Sequence, residues 1–328
     1  MLDIITFGSA TFDIFLKPKK FQIEKDKNFI TGKGVCFNLG SKVDVEKMSF
    51  SSGGGGTNTA ATFSKQGFKT AYCGIVGNDI SGKEIIRELK ELGINTDFIS
   101  QTKKRPTNLS VILVSGKDRT ILVYRGASEI FSKNNVPRKK IRSKWFYLAP
   151  LAGMLCNISE DIVNFAYKNK IKTAFNPGNS QLSLPPKTIK RILKKIDILI
   201  LNQEEASFLT KISYQKEKEI FKKIDELCPG IAIMTKGRDG VVVSDGKYLY
   251  KAKAPNVKVV DGTGAGDAFG SGFVTGFIKS GGNIKSAIQL GTANGISCIK
   301  SIGAKAGLLA AKNKFLKVKV LKESCKIK

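Results

Sequence analysis

The hydrophobic positions of this chain follow two alternating periods. Residues 2–7 are a compact apolar run ended by Gly8-Ser9, which predicts a buried first strand. Residues 70–76 predict another strand, and 81–92 a helix with Ile85, Leu89 and Leu92 on one face and Gly93 as its stop. From residue 144 onward the alternation is regular. Strands are predicted at 145–149 and 173–175, and helices at 159–168 and 186–196, the latter with Ile189, Ile192, Leu193 and Ile196 inward. Residues 197–201 form an apolar strand of the kind found where both faces of a sheet are covered. A strand at 231–234, a hairpin over 241–244 and 247–250, and a helix over 284–300 complete the series; the Lys-rich last residues are expected to fray. Strands separated by helices of this length predict an α/β fold: a doubly wound, mostly parallel sheet with helices on both faces.

Residues 17–52 break this rhythm. They are polar and rich in Lys, with short β-like pieces at Val35-Cys36-Phe37 and Lys47-Met48-Ser49-Phe50. A β-hairpin is predicted from 108–115 and 119–124 around Gly116-Lys117-Asp118. The length of 328 residues allows one large α/β domain or two small ones. The reading adopted is one domain over 1–328, with a small β lid from roughly 14–52 and 107–126.

The chemistry concentrates in Val259-Val260-Asp261-Gly262-Thr263-Gly264-Ala265-Gly266-Asp267-Ala268-Phe269. Residues 257–260 are β-branched and predict a strand. Three glycines follow at alternate positions, and then Phe269, Phe273, Val274, Phe277 and Ile278 mark one face of a helix. Asp267 falls in the first turn of that helix. Helix N-termini present unpaired N–H groups and partial positive charge, and glycines let an anion approach them. An acid beside such a turn suits an enzyme that stabilises a transferring phosphoryl group and deprotonates the hydroxyl attacking it. A tight turn with a capping Asp is the plain alternative. A dinucleotide fingerprint fits poorly, because Asp267 stands where its third glycine belongs and the motif lies late in the chain. No G-x-x-x-x-G-K-[ST] occurs.

Composition narrows the chemistry. There is no histidine, so acid–base work falls to a carboxylate, a lysine or a metal. Fifty-five basic against 27 acidic residues give a formal charge of +28, which opens binding to nucleic acid or anionic surfaces. The lysines are dispersed, however, with no aromatic-interleaved basic block, and solvated faces account for them better. The six cysteines lie far apart without a C-x-x-C and read as small core residues. No apolar run reaches membrane-spanning length, the first residues lack the basic region of a signal peptide, and a cytoplasmic location is expected.

Asp261 to Asp267 resembles the D-T-x-G-A-G-D signature of the ribokinase-like (PfkB) family of sugar and nucleoside kinases, with Gly262 at the usual second Thr. A second signature, the glycine-rich sugar segment, is similar to Gly53-Gly54-Gly55-Gly56-Thr57-Asn58-Thr59-Ala60, followed by Gly67-Phe68 and Gly74-Ile75-Val76-Gly77-Asn78-Asp79. Four glycines let the backbone approach a polyol, and Asn58 can donate to and accept from hydroxyls. Ribokinases themselves carry Lys where this chain has Gly55.

The resemblance covers nearly the whole chain and implies ATP-dependent phosphoryl transfer to a sugar hydroxymethyl group. Asp267 would be the base, with the N–H groups of Gly264, Ala265 and Gly266 as anion hole. Asp13, in Gly8-Ser9-Ala10-Thr11-Phe12-Asp13, would meet sugar hydroxyls with Gly54, Gly55 and Asn58, and Arg125 an anionic group on the substrate. The nucleotide would be held by Asn202, by Thr235, Gly237 and Gly240 of a T-x-G-x-x-G loop, and by Asn294. Asn202-Gln203-Glu204-Glu205 matches an N-x-x-E motif, with Mg²⁺ held through water by Glu205. Asp261 and Thr263 would hold a monovalent cation, K⁺. The family includes monomers and homodimers joined through the lid. A nucleoside or keto-deoxy sugar acid acceptor, a regulator without catalysis, and a basic nucleic-acid-binding protein are the alternatives.

Overall fold

The computed structural model describes residues 1–29, 32–115, 118–151 and 158–324. Apolar side chains alternating to both sides of each central strand require cover on both faces, and the chain supplies it. Its first half runs β1 (Leu2–Phe7), β2 (Thr11–Pro18), β3 (Gln22–Lys25), β4 (Lys33–Cys36), β5 (Val45–Gly53), α1 (Gly55–Lys65), β6 (Thr70–Gly77), α2 (Ile80–Glu91), β7 (Ile99–Thr102), β8 (Asn108–Ser115) and β9 (Asp118–Tyr124). It continues through β10 (Ser143–Leu148), α3 (Ile158–Lys168), β11 (Lys172–Phe175), α4 (Asn179–Leu182), α5 (Pro186–Leu193), β12 (Ile198–Asn202), α6 (Gln203–Thr210), α7 (Glu217–Leu227) and β13 (Ile231–Thr235). It closes with β14 (Val241–Ser244), β15 (Tyr248–Ala252), α8 (Ala265–Lys279), α9 (Ile284–Cys298) and β16 (Val320–Ser324).

The main sheet has ten strands in the order β16-β15-β14-β13-β12-β11-β10-β1-β6-β7. Neighbours from β13 to β7 are parallel, and the β13–β14, β14–β15 and β15–β16 pairs are antiparallel. Side chains such as Ile5, Phe7, Phe146 and Leu199 enter the core shared with α3, α5 and α7. Ile4, Tyr147, Ile198 and Ile233 enter the other, shared with α8 and α9. The predicted doubly wound sheet is therefore present, and β7 is an edge strand with no counterpart in the pattern-based reading.

The β lid is a separate sheet ordered β5-β2-β8-β9, with β3 and β4 forming their own hairpin. Asp13 lies within β2 rather than in a turn, paired across the sheet with Ser51 and Ser110. Residues 116–117 of the predicted lid turn lie outside the described residues. Cys36, Cys73, Cys228 and Cys298 are free thiols, the last three buried; Cys156 and Cys325 lie outside the described residues.

Three expectations are corrected. Residues 257–260 are not a strand, because the free edge of β15 is taken by β16. The N–H groups of Val260 and Asp261 instead donate to Ile299 O at the end of α9, and Val259 and Val260 stay exposed. The Lys-rich chain end, expected to fray, supplies that edge strand: Lys251 pairs with Glu323, and the Lys322 ammonium sits 3.6 Å from the Tyr248 ring centre. The helix predicted to reach 196 ends at Leu193, though Ile196 is buried as expected.

Helices α8 and α9 meet through small residues. A Cβ on Gly272 would stand 3.0 Å from Asn294 Cβ and 3.1 Å from Gly291 Cα, so the backbones lie in direct contact. Gly272→Val is expected to lose about 1–3 kcal/mol by overpacking, read as a lower urea midpoint; an unchanged midpoint would contradict this helix contact.

Candidate active site

The site lies at the C-terminal ends of the parallel strands, where the chain order reverses. Strand β1 leads to β6 on one side and pairs with β10 on the other, and ligands bind open α/β sheets at such crevices. The start of α1 fills the notch. Gly54 has φ of +91°, and a Cβ there would lie 2.4 Å from Ser9 O. On Gly55 a Cβ would lie 3.0 Å from Ala149 Cβ, 3.2 Å from Pro150 Cδ and 3.3 Å from Asp267 Oδ1. Asp267 is thus held beside the glycine turn that the sequence pairs with it 212 residues away.

Asn58, in the first turns of α1, donates from Nδ2 to Asp267 Oδ2 at 2.9 Å. The Asn58 side chain is buried, and its Oδ1 has no hydrogen-bond partner. Asp267 is hemmed in by protein yet keeps some accessible surface, as expected at the floor of a cleft. Burial pushes its pKa up, opposed by the Asn58 hydrogen bond and by the charge of Lys305.

On lid strand β2, Asp13 is pushed up to about 6 by burial, opposed by the Ser110 hydrogen bond and Lys305. Gly53 is forced by this carboxylate: a Cβ there would lie 2.1 Å from Asp13 Oδ2. Lys305 escaped the sequence reading. It is buried, donates to Ser52 O at 2.7 Å and to Ser52 Oγ, and burial lowers its pKa to about 8. A Lys directly after Gly303-Ala304, in an otherwise small-residue run, was the available signal.

The glycine turn before α8 ends at Gly264, the left-handed N-cap of that helix, where a Cβ would come 2.4 Å from Ala304 Cβ. The N–H of Ala265 turns back to Gly262 O at 3.4 Å, whereas those of Gly264 and Gly266 have no backbone acceptor among the described residues. A Cβ on Gly266 would meet open space, so this is the face an anion can reach.

Asn202 ends β12 and pairs in register with Thr235 at the end of β13. Asn202 and Glu205 form a reciprocal cap: Glu205 N donates to Asn202 Oδ1 and Asn202 N to Glu205 Oε2, both at 2.8 Å. Burial raises the Glu205 pKa, opposed by that Asn202 N–H. The buried Tyr147 hydroxyl lacks a partner and feels the charges of both Asp267 and Glu205, which links the two halves of the site. Gly237 faces open space, while a Cβ on Gly240 would lie 2.0 Å from Ala252 O, so Gly240 closes the loop against β15.

Three residues singled out by the resemblance have surroundings that favour other roles. Asn294 is fully buried; its Nδ2 donates to Ala268 O at 2.8 Å and Thr62 Oγ1 at 3.2 Å, and its Oδ1 accepts from Leu309 N. Its amide ties α1, α8 and α9 together and is not presented to a nucleotide. Arg125 is exposed just past β9, without a hydrogen bond or ion pair to the described residues. Asp261 fits a K⁺ cage poorly. Its Oδ1 accepts from Thr263 N, Thr263 Oγ1 and Arg119 Nη1, and its Oδ2 from Gly303 N. The Thr263 carbonyl takes the Cys298 thiol, so charge balance at Asp261 comes from the lid residue Arg119.

Mg²⁺ fits better. Among the described residues no group of three or more acids, cysteines or histidines could cage a metal. Glu205 is a single carboxylate with one oxygen uncommitted, the donor set suited to an ion carried on phosphates and reached through water. No helix among the described residues is long and apolar enough to cross a membrane.

Comparison with known proteins gives the family and the fold. The pfkB family carbohydrate kinase profile matches residues 2–311. A sugar kinase of Archaeoglobus fulgidus is 28% identical over 75% of this chain and 97% of its own. A ribokinase of Arabidopsis thaliana, solved with ribose and ATP, shares the fold with a TM-score of 0.77 at 21% identity, covering 95% of this chain and 96% of that one. A nucleoside kinase of Methanocaldococcus jannaschii shares it at 0.74 and 21% identity, covering 94% and 95%. The chain therefore belongs to the pfkB family of carbohydrate kinases, phosphotransferases with an alcohol group as acceptor.

Proposed function

We propose that this kinase transfers the γ-phosphoryl group of ATP to a hydroxymethyl group of a small sugar of the ribose or fructose type. The observation that carries the reading is the Asn58–Asp267 pair: Nδ2 fixes the carboxylate, and the unpartnered Oδ1 is left for a substrate hydroxyl. A buried carboxylate with a raised pKa is a stronger proton acceptor than a solvated one. Asp267 takes the proton of the attacking hydroxyl while Asp13 and Asn58 hold the neighbouring hydroxyls. The N–H groups of Gly264 and Gly266 receive the charge that develops on the phosphoryl oxygens. Thr235 and Gly237 line the nucleotide side. Glu205 would hold Mg²⁺ through water, and that ion would supply charge neutralisation on the nucleotide phosphates. Positioning and electrostatics carry most of such catalysis.

A nucleoside acceptor is the second reading. The lid face that carries Asp13 and Ser110 also presents the half-exposed Ile121 and Val123, apolar surface that a nucleobase would cover. The exposed position of Arg125 gives a sugar-acid acceptor no support. The opposite lid face carries Ile14, Leu16, Met48, Phe50, Leu122 and Tyr124, and the last four are exposed. We propose that a second copy of the chain covers it, consistent with the rarity of large exposed apolar patches on monomers.

A coupled ADP-release assay with ribose, fructose, keto-deoxy sugar acids and adenosine should show one dominant pentose or hexose. Dominant turnover of adenosine would replace the sugar reading, and no turnover of any acceptor would remove both. Asp267→Asn should lower kcat by about 10²–10⁴, the scale of general-base catalysis, with ATP affinity retained. In the wild type, activity should fall as pH drops through the raised Asp267 pKa, because only the carboxylate accepts a proton. Near-full turnover in the variant would remove the base assignment. With Arg119 on Asp261, turnover and thermal midpoint should be equal in K⁺ and tetramethylammonium; a K⁺-specific gain in both would restore the cation site. In sedimentation, the wild type should run as a dimer and Phe50→Asp as a monomer; a monomeric wild type rejects the lid interface.

A further inference from the structure

Lys305 is the one basic residue in the buried class among the described residues, although the chain holds 55 lysines and arginines. Taking an ammonium out of water costs several kcal/mol unless it is paired and hydrogen-bonded. The surroundings offset this only in part. The Nζ donates to Ser52 O at 2.7 Å and to Ser52 Oγ, and Glu88 Oε1 stands at 4.0 Å. The carbonyl of Lys305 is itself held by Lys65 Nζ at 2.8 Å. A neutral side chain would fill the same place without an ion to compensate, so the charge calls for a use.

The position supplies one. Ser52, which anchors the ammonium, precedes Gly53, whose α-carbon lies against the Asp13 carboxylate. Ala304, the residue before Lys305, packs on Gly264 at the N-cap of the helix bearing Asp267. The charged groups that face the ammonium come from four elements: Glu88 of α2, Asp13 of β2, Asp267 of α8 and Lys65 of α1. Among the described residues Lys305 is the cation that acts on Asp267, whose carboxylate is otherwise bonded to the neutral amide of Asn58.

We propose that Lys305 is a positioning residue of the transfer reaction: its anchored ammonium, set beneath the cleft floor, keeps Asp267 in the carboxylate form that accepts the proton and keeps Asp13 an acceptor for substrate hydroxyls. It acts through the two acids and does not touch the substrate. The inference rests on the kinase reading above. Burial raises both carboxyls and lowers Lys305 to about 8, and the lysine charge opposes the rise on each acid. Activity is therefore bounded on the acid side by Asp267 taking a proton. Rising pH never returns that proton, so loss of the Lys305 proton near 8 is read at the Asp267 carboxyl and not as an alkaline limb.

The test is the pH profile of kcat for the wild type, Lys305→Met and Glu88→Gln. Lys305→Met removes the opposing charge, so the acid limb should move up by about one pH unit, roughly tenfold in rate at a fixed pH below it. The Asp267 carboxyl carbon-13 signal, which in the wild type should show a small second step near 8 as Lys305 loses its proton, should lose that step. Glu88→Gln removes the negative charge that supports the lysine proton, so that second step should move down. Glu88 is partly exposed on α2, so this variant decides the matter should Lys305→Met fail to fold. An acid limb that stays in place in Lys305→Met, or a carboxyl signal with no step near 8 in the wild type, would overturn the proposal and leave Lys305 a packing residue. Carbon-13 titration of the Asp267 carboxyl in the wild type and both variants needs no turnover. A wild type that turns over no acceptor removes the kinase reading, and the titration still decides whether Lys305 governs Asp267: an unmoved carboxyl midpoint would overturn it.

Discussion

The hydrogen bond from Asn58 to Asp267 is the contact on which the rest of the site depends. It joins the first turns of α1 and α8, which come from opposite ends of the chain, and it fixes a carboxylate that burial would otherwise leave without a partner. A buried charge without hydrogen bonds is costly enough to change its protonation state. Asn58 and Lys305 both oppose that change, one by a hydrogen bond and one by charge. The acid is thereby left raised in pKa but still ionisable, the condition a proton acceptor requires.

Bringing two helix starts that close demands missing side chains. Gly54, Gly55 and Gly56 let α1 press on Ser9, Gly8 and Ala149, and Gly264 lets α8 press on Ala304. Behind them, Gly272 and Gly291 bring α8 and α9 into backbone contact, and Asn294 ties that pair to α1 and Leu309. The fold and the site are one construction in this respect. The glycines that read as phosphate chemistry in sequence also act as packing residues. The lid closes the arrangement from above, with Asp13 on β2 facing the floor and Arg119 on β9 reaching Asp261.

Much of this was legible in the chain. Sheet strands such as 2–7, 70–76 and 231–234 are apolar runs whose burial needs no distant information, and the structure has them within a residue or two. The Gly53–Asn58 and Asp261–Asp267 segments carry local backbone requirements, so their glycines announced them. What failed depended on partners. Residues 257–260 have strand chemistry but no free edge, because residues 320–324 reached β15 instead. Asn294 matched a motif, yet three hydrogen bonds inside the fold claim its amide. Arg119 carries no signature and Lys305 only its place after Gly303-Ala304, since one among 55 basic residues becomes distinct only when the fold buries it or sets it on an acid.

The central claim is that a sugar hydroxyl and a nucleotide phosphate meet over Asp267. A crystal structure with a non-hydrolysable ATP analogue and the acceptor chosen by the assay tests it most directly. The account predicts the acceptor's hydroxymethyl oxygen at about 2.6–3.2 Å from the Asp267 carboxylate, a second hydroxyl on Asn58 Oδ1, and the terminal phosphate over Gly264 and Gly266. An acceptor bound elsewhere, or a phosphate that leaves the first turn of α8 empty, would contradict it.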